Sequence, residues 1–250
     1  MAKDTSWKQV GKWYDEIVSK EGHTYHREVV FPRLREWLSF DQGDAVLDLG
    51  CGQGVLAREL PQEVSYLGID LAKPLIEKAK IRSSHLFQVG DVTGSLSLSR
   101  KDFSHVFFIL SLQNMKRGDK AVKNGADHLR KGGKMIVILN HPCYRIPRQS
   151  SWGIDENKKL QYRRIDRYLS PLEVPIQMHP SQKKDSAVTY SYHHPISTYV
   201  QWMVSEGLVI TRLEEWHSLK LSTGGKAKME NRSRKEFPLF LALEATLPLD

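Results

Sequence analysis

Five short apolar runs recur through the first 140 residues: "AVLDLG" (45–50), "SYLGID" (65–70), "HLFQVG" (85–90), "HVFFIL" (105–110) and "MIVILN" (135–140). Their length and lack of polar alternation suit strands buried on both faces of a parallel sheet. Between them, "GVLAREL" stopped by Pro61, "AKPLIEKAKI", and "DKAVKNGADHLRK" stopped by Gly132 and Gly133 read as connecting helices. Strand alternating with helix predicts an α/β fold, a doubly wound and mostly parallel sheet with helices on both faces and right-handed crossovers.

The flanks read differently. "SWKQVGKWYDEIVSK" places Trp7, Val10, Tyr14 and Ile17 at helical spacing behind Ser6 as a cap, and a second helix runs through "HREVVFPRLREWLSF", bent or restarted at Pro32. After Asn140 the rhythm breaks into a Pro-, Tyr- and Arg-rich stretch with β-like pieces "RRIDRYL" and "AVTYSYH". Helical periodicity returns in "ISTYVQWMVSEG", with Ile196, Tyr199, Val200 and Met203 on one face. Two strand candidates, "LVITRLEEW" and "FPLFLALEATL", then close the chain around a basic loop, "KAKMENRSRKE". The expected organisation is an N-terminal helical cap (1–40), a core (41–140), an inserted lid (141–195) and a completion of the core (196–250). An insertion after the fifth strand emerges over the carboxyl ends of the strands, where open α/β sheets bind ligands.

Composition narrows the class. Hydrophobic residues at 40% and charged residues at 26% are ordinary for a soluble globular protein. The longest apolar runs are far too short to span a bilayer, and "MAKDTSWKQV" lacks the apolar core of a signal peptide. Cys51 and Cys143 offer neither a disulfide framework nor zinc-type spacing, so a cytoplasmic protein with no metal is expected. The net charge of +8 admits an anionic partner, but the charge is dispersed, which a basic soluble enzyme also satisfies.

The turn after the first run, "VLDLGCGQGVL" (46–56), carries the chemistry. Glycines at 50, 52 and 54 let a ligand approach the backbone. In dinucleotide enzymes that ligand is a pyrophosphate, which Asp48 would repel, and Val55 stands where the third glycine of that pattern belongs. A carboxylate favours a cationic ligand instead. With "YLGID", "QVGDV" and "FILSLQNM" following in order, the chain resembles the class I (Rossmann-like) S-adenosylmethionine-dependent methyltransferases, specifically over roughly 40 to 140.

That resemblance implies a seven-stranded sheet with an antiparallel last strand, and S-adenosylmethionine as cofactor. It implies that Asp48, Gly50, Gly52 and Gln53 form the turn around the cofactor. Asp70 would meet the ribose, Asp91 and Val92 the adenine, and Leu110 the floor beneath the methionine portion, with Leu71 also against the cofactor. Tyr14, Tyr25 and His26 would belong to a segment that closes over the cofactor. Plainer roles stay open beside these: a tight turn for the glycines, a helix cap for Asp70, a solvated turn for Asp91, a core position for Tyr14, a small turn residue for Cys51.

The acceptor side is expected from the N-terminal helices, the ends of strands four and five, and the insertion. Gln113, Asn114, Asn140 and Arg145 are candidates for binding the acceptor. His141 or His194 is expected to be its base or an orienting hydrogen-bond donor, since imidazole takes a proton near pH 7. "NHP" is similar to the Asn-Pro-Pro motif of nucleic-acid amino methyltransferases, but that motif follows the fourth strand, where this chain has "LQNM". The insertion interleaves basic residues with Trp152, Tyr162, Tyr168, Tyr190 and Tyr192, a pattern that suits nucleotide stacking or a strand-rich lid with solvated charges. The expected function is methyl transfer to a small-molecule acceptor. A methyltransferase acting on RNA or another nucleic acid, or a non-catalytic S-adenosylmethionine-binding protein, are the alternatives.

Overall fold

The computed structural model describes residues 24–177 and 188–249; the helix expected over 6–20, with Tyr14, lies outside them. Five strands, β1 (Ala45–Leu49), β2 (Ser65–Asp70), β3 (Leu86–Val89), β4 (Phe103–Ile109) and β5 (Leu129–Asn140), are followed by hairpin strands β6 (Ser150–Asp155), β7 (Leu160–Ile165), β8 (Leu172–Gln177) and β9 (Val188–His193). Strands β10 (Val209–Trp216) and β11 (Phe240–Thr246) end the chain. The main sheet has seven strands in the order β10-β11-β5-β4-β1-β2-β3. Strands β1 to β5 pair in parallel, and β11 slots antiparallel between β5 and β10.

Alternate residues of the central strands feed two cores. On one face Val46, Phe107, Ile136 and Ile138 pack against Phe31 and Leu34 of α1 (Phe31–Trp37) and Ile76 of α2 (Lys73–Arg82). On the other, Leu47, Leu49, Val106, Phe108 and Val137 meet Ala121 and Val122 of α3 (Gly118–Asp127) and Met203 of α4 (Ile196–Ser205). Burial on both faces is why these strands read as unbroken apolar runs.

Four local expectations are corrected. The helix through 26–40 is not broken at Pro32; it widens into a π turn over His26–Val30, with the Phe31 N–H bonded to the His26 carbonyl, which accommodates a proline that has no N–H to give. "GVLAREL" forms only a 3-10 turn over Leu56–Arg58, and the Arg58 guanidinium donates to the carbonyls of Gln53 and Gly54 that a longer helix would have used. Helix α3 stops at Asp127 and "LRKGG" joins β5, its glycines lying where the register against β4 shifts. The basic "KAKMENRSRKE" is helix α5 (Ala227–Glu236), with an Arg234–Glu230 pair one turn apart at 3.5 Å.

The insertion forms two separate hairpins. Strands β6 and β7 lean on α5, where the Ser233 hydroxyl donates to the Gln161 carbonyl at 2.9 Å and Trp152 meets Phe237 edge-on. Strands β8 and β9 pack on the 3-10 turn Leu112–Asn114 that follows β4, with a Lys116–Glu173 ion pair at 3.1 Å. Among the described residues no helix is long and apolar enough to cross a membrane.

Candidate active site

The glycine turn is folded back over the end of β2. The Gly50 and Cys51 amides both donate to the Ile69 carbonyl, at 2.8 and 3.1 Å, and the Gly54 amide closes on Cys51. All three glycines take left-handed φ angles of +80°, +55° and +71°. A Cβ on Gly50 would lie 2.6 Å from that of Ser111, and one on Gly54 would meet the Phe87 ring at 2.7 Å. Only glycine fits either place.

Asp70 ends β2 beside this turn. One carboxylate oxygen accepts the Gly52 amide at 2.9 Å and the other the Ala72 amide at 2.8 Å. Burial pushes its pKa up against these two bonds. Each oxygen keeps a second lone pair, so bracing the turn and accepting ligand hydroxyls are compatible.

Asp48 lies within β1 and is 2% exposed. One oxygen accepts the Tyr66 hydroxyl at 2.8 Å; the other, Oδ1, is buried with no hydrogen-bond partner. Burial pushes its pKa up to about 7, the Tyr66 bond pulling down and the charge of Asp70 pushing up. Tyr66 is a residue that sequence reasoning missed. The β1–β2 register sets Asp48 opposite Gly68, and a Cβ there would sit 2.8 Å from the Tyr66 hydroxyl and from the Cys51 sulfur. The glycine inside "YLGID" was the available signal, since a mid-strand glycine marks a close approach.

Further along the edge, Asp91 is exposed, and its Oδ1 accepts the Thr93 amide and hydroxyl at 2.8 and 2.7 Å. Val92 is buried beside it, whereas Leu71 stays 41% exposed. Leu110, just past β4, holds a φ of +53°, a conformation that costs a leucine about 1–2 kcal/mol. The side-chain amides of Gln113 and Asn114 both donate to its carbonyl, at 3.0 and 3.3 Å. They brace this strained turn, and the buried Gln113 Oε1 is left without a partner. Gln53 is fully buried behind the glycine turn, and His26 is buried with its ring stacked on Phe31. Tyr25 lies edge-on to Phe240 at the start of β11.

The two candidate bases separate. His141 is 1% exposed; its Nδ1 accepts the Cys143 and Tyr144 amides and its Nε2–H donates to Glu215 at 2.7 Å. With both nitrogens committed it anchors the start of the insertion and is not placed to take an acceptor's proton. His194 is half-buried between the Tyr199 and Trp202 rings, and neither ring nitrogen has a hydrogen-bond partner among the described residues. Burial and the neighbouring His193 hold its pKa below the usual value, opposed by Asp119. Asn140 and Arg145 come together: the Asn140 side-chain oxygen accepts the Arg145 Nη1 at 2.7 Å.

Residues 46–133 match the family described as a methyltransferase domain. The chain is 28% identical over 108 residues to the carboxy-S-adenosyl-L-methionine synthase of Desulfotalea psychrophila, covering 38% of this chain and 44% of that one. It is 29% identical over 149 residues to an O-methyltransferase of Penicillium expansum, covering 54% and 52%. The chain therefore spans about half the length of the curated relatives it matches. A solved S-adenosylmethionine dependent methyltransferase of Mesorhizobium loti overlays with a TM-score of 0.67 at 24% identity, over 86% of this chain and 96% of that one. The fold is the class I, Rossmann-like methyltransferase fold. Within it, residues 46–133 are similar to a methyltransferase domain.

The residues fit that cofactor. A buried carboxylate oxygen without a donor suits an ammonium, and Asp70 suits vicinal hydroxyls. The turn between them is held so tightly that a side chain at Gly50 or Gly54 would collide.

Proposed function

We propose that the protein transfers a methyl group from S-adenosylmethionine to a small-molecule acceptor. The observation that carries this is the pairing of Asp48 and Asp70 across the glycine turn, with Asp48 Oδ1 buried and unpaired. The cofactor held there would supply an electrophilic sulfonium methyl, transferred in line to an acceptor lone pair while the carbon–sulfur electron pair leaves on the thioether of S-adenosylhomocysteine. Such a displacement needs alignment and exclusion of water more than covalent help. In this reading Asp48 holds the ammonium, Asp70 the ribose and Asp91 the adenine, while Leu110, Gln113 and Asn114 form the floor. Residues 1–40 and the insertion 141–195 enclose the acceptor around the 41–140 core, which 196–250 completes. A free ring nitrogen of His194 takes the acceptor's proton where one must leave.

Two observations support a small acceptor over a nucleic acid. Part of the insertion's positive charge is neutralised within it, by Arg164–Asp166 at 2.8 Å and Lys158–Asp155 at 3.8 Å. One curated relative, of Thermosynechococcus vestitus and 27% identical over 115 residues, is named a 2-phytyl-1,4-naphtoquinone methyltransferase. Calorimetric titration of S-adenosylhomocysteine tests the cofactor site: Asp70→Ala is expected to cost about 2–4 kcal/mol, roughly 30-fold or more in affinity. Equal affinity in both proteins would remove Asp70 from the site. Tight, salt-dependent retention on RNA would replace the small-molecule reading.

A further inference from the structure

Most arginines with a described partner in this protein face a carboxylate: Arg35 faces Glu59, Arg117 Asp119, Arg130 Asp44, Arg164 Asp166 and Arg234 Glu230. Arg145 and Arg163 do not. Arg145 is half-buried, gives Nη1 to Asn140 and lies over the Phe240 ring at 5.5 Å from its centroid. Its remaining donors have no protein acceptor among the described residues, and the charged or polar groups bearing on it are the Tyr25 hydroxyl and Arg163. Arg163 gives Nε to the Tyr144 carbonyl at 2.7 Å and Nη2 to the Ser150 hydroxyl at 2.9 Å, stacked over Trp152 at 5.0 Å. Two guanidiniums thus stand within electrostatic reach of one another with only neutral partners. Burial draws both below their usual pKa, and taking unpaired cations out of water is costly.

We propose that the pair is completed by the acceptor, and that the acceptor of the reaction proposed above carries a carboxylate seated on Arg145, with Arg163 as the second positive charge. The position fits. Asn140 ends β5 and Phe240 begins β11, so Arg145 sits on the carboxyl edge, across the β4 end from Asp48 and Asp70. The anionic end of the acceptor is thereby kept away from the two aspartates. A guanidinium fork matches a planar carboxylate bidentately, which an ammonium does not. Tyr25 and Leu110 pack against the same apolar cluster as Phe240, so the body of the acid is apolar or aromatic.

The inference rests on the small-molecule reading, and its test separates the two. Benzoate, phenylacetate and 4-hydroxybenzoate, each beside its primary amide, are titrated calorimetrically at physiological salt with and without saturating S-adenosylhomocysteine. At least one acid is expected to bind about tenfold or more tighter than its amide. Arg145→Gln should erase that preference, and Arg145→Lys should restore only part of it. Unchanged S-adenosylhomocysteine affinity and melting temperature certify that the variants fold. Acids and amides that bind alike or not at all, a preference that survives Arg145→Gln, or displacement of the acid by polyuridylate would each overturn the carboxylate assignment. Failure of the wild type to bind S-adenosylhomocysteine would instead overturn the methyltransferase reading, and the cofactor-free titrations would still decide the arginine site.

Discussion

Two aspartates four residues apart on one stretch of chain have opposite fates. Asp44, just ahead of β1 on the amino edge, is 5% exposed and accepts the Asp41 amide at 2.9 Å and Arg130 Nη2 at 2.9 Å. Burial pushes its pKa up, but these bonds, with Ser104 and the charges of His105 and Arg130, leave it below the ordinary value. Its neighbour Ser104 is equally committed, accepting the Ala45 amide and donating to the Ala45 carbonyl, both at 2.9 Å. Asp48, on the carboxyl edge, has one donor, one empty oxygen and a pKa pushed up to about 7. The same residue type, just ahead of β1 and near its far end, is closed at one edge and left open at the other. Buried polar groups are ordinarily satisfied, so the empty Oδ1 is what the cofactor of the proposed reaction would complete.

The largest test of this contrast falls on the histidines. His194, with free ring nitrogens, is expected to lose about 10²–10⁴-fold in kcat as His194→Ala if the acceptor's proton must leave, with S-adenosylhomocysteine affinity unchanged. Because its pKa is held below the usual value, it is neutral at pH 7 and already a base. The acid limb of the wild-type kcat profile should therefore lie below pH 6.5 and flatten in the variant. Normal turnover by His194→Ala would leave alignment alone to carry the transfer.

The second test is pH and Asp48. A cation bound at Oδ1 favours the ionised carboxylate, so cofactor binding releases a proton wherever free Asp48 is protonated. Affinity should be level above about pH 7 and fall by up to tenfold per unit below it. Asp48→Asn should bind about 10–100-fold more weakly at pH 8, and the two proteins should converge near pH 5. Parallel curves at all pH values would mean that the ligand does not meet Asp48.

Which parts of this were legible follows from the range of the interactions. The sheet was readable because burial on both faces writes itself into consecutive residues such as "VFFIL", and the turn because glycine is required where φ is positive. The placement of Asp48 and Asp70 beside the glycine turn was readable because neighbouring parallel strands bring their ends together. Tyr66 and Arg163 were not, since each acts across a register or hairpin set by residues far away in the chain. The 56–58 turn and the end of α3 were misjudged for the same reason: Arg58 capping carbonyls, and Leu129 pairing with Phe103, override local helix signals. His141 was not readable as an anchor, because position at the end of a strand says nothing of which ring nitrogens remain free.

A smaller effect is expected at the closed edge. Arg130→Met removes a bond to Asp44 from an arginine whose side chain is 49% exposed, so solvent screening limits the loss to about 1 kcal/mol or less. Asp44 has a depressed pKa, so its contribution is present at neutral pH and disappears as pH falls through its folded value; the variant's Tm deficit should shrink on acidification. Cofactor affinity should not change. A loss of affinity in Arg130→Met would mean that the two edges communicate, and the contrast between them would fail.

The smallest effect is the sharpest discriminator. Tyr66→Phe leaves the packing of the ring in place and removes only the hydroxyl that donates to Asp48 at 2.8 Å. That bond favours the ionised carboxylate, so its loss should raise the Asp48 pKa further, by about 0.7 unit if the bond is worth about 1 kcal/mol. The midpoint of the affinity-versus-pH curve should move up by the same amount. At pH 7 the variant should bind S-adenosylhomocysteine about three- to fivefold more weakly, and by pH 9 it should match the wild type, because Asp48 is then ionised in both. A purely structural defect would weaken binding equally at both pH values. The convergence at high pH is thus the result that ties Tyr66 to the charge on Asp48 and not merely to the shape of the turn.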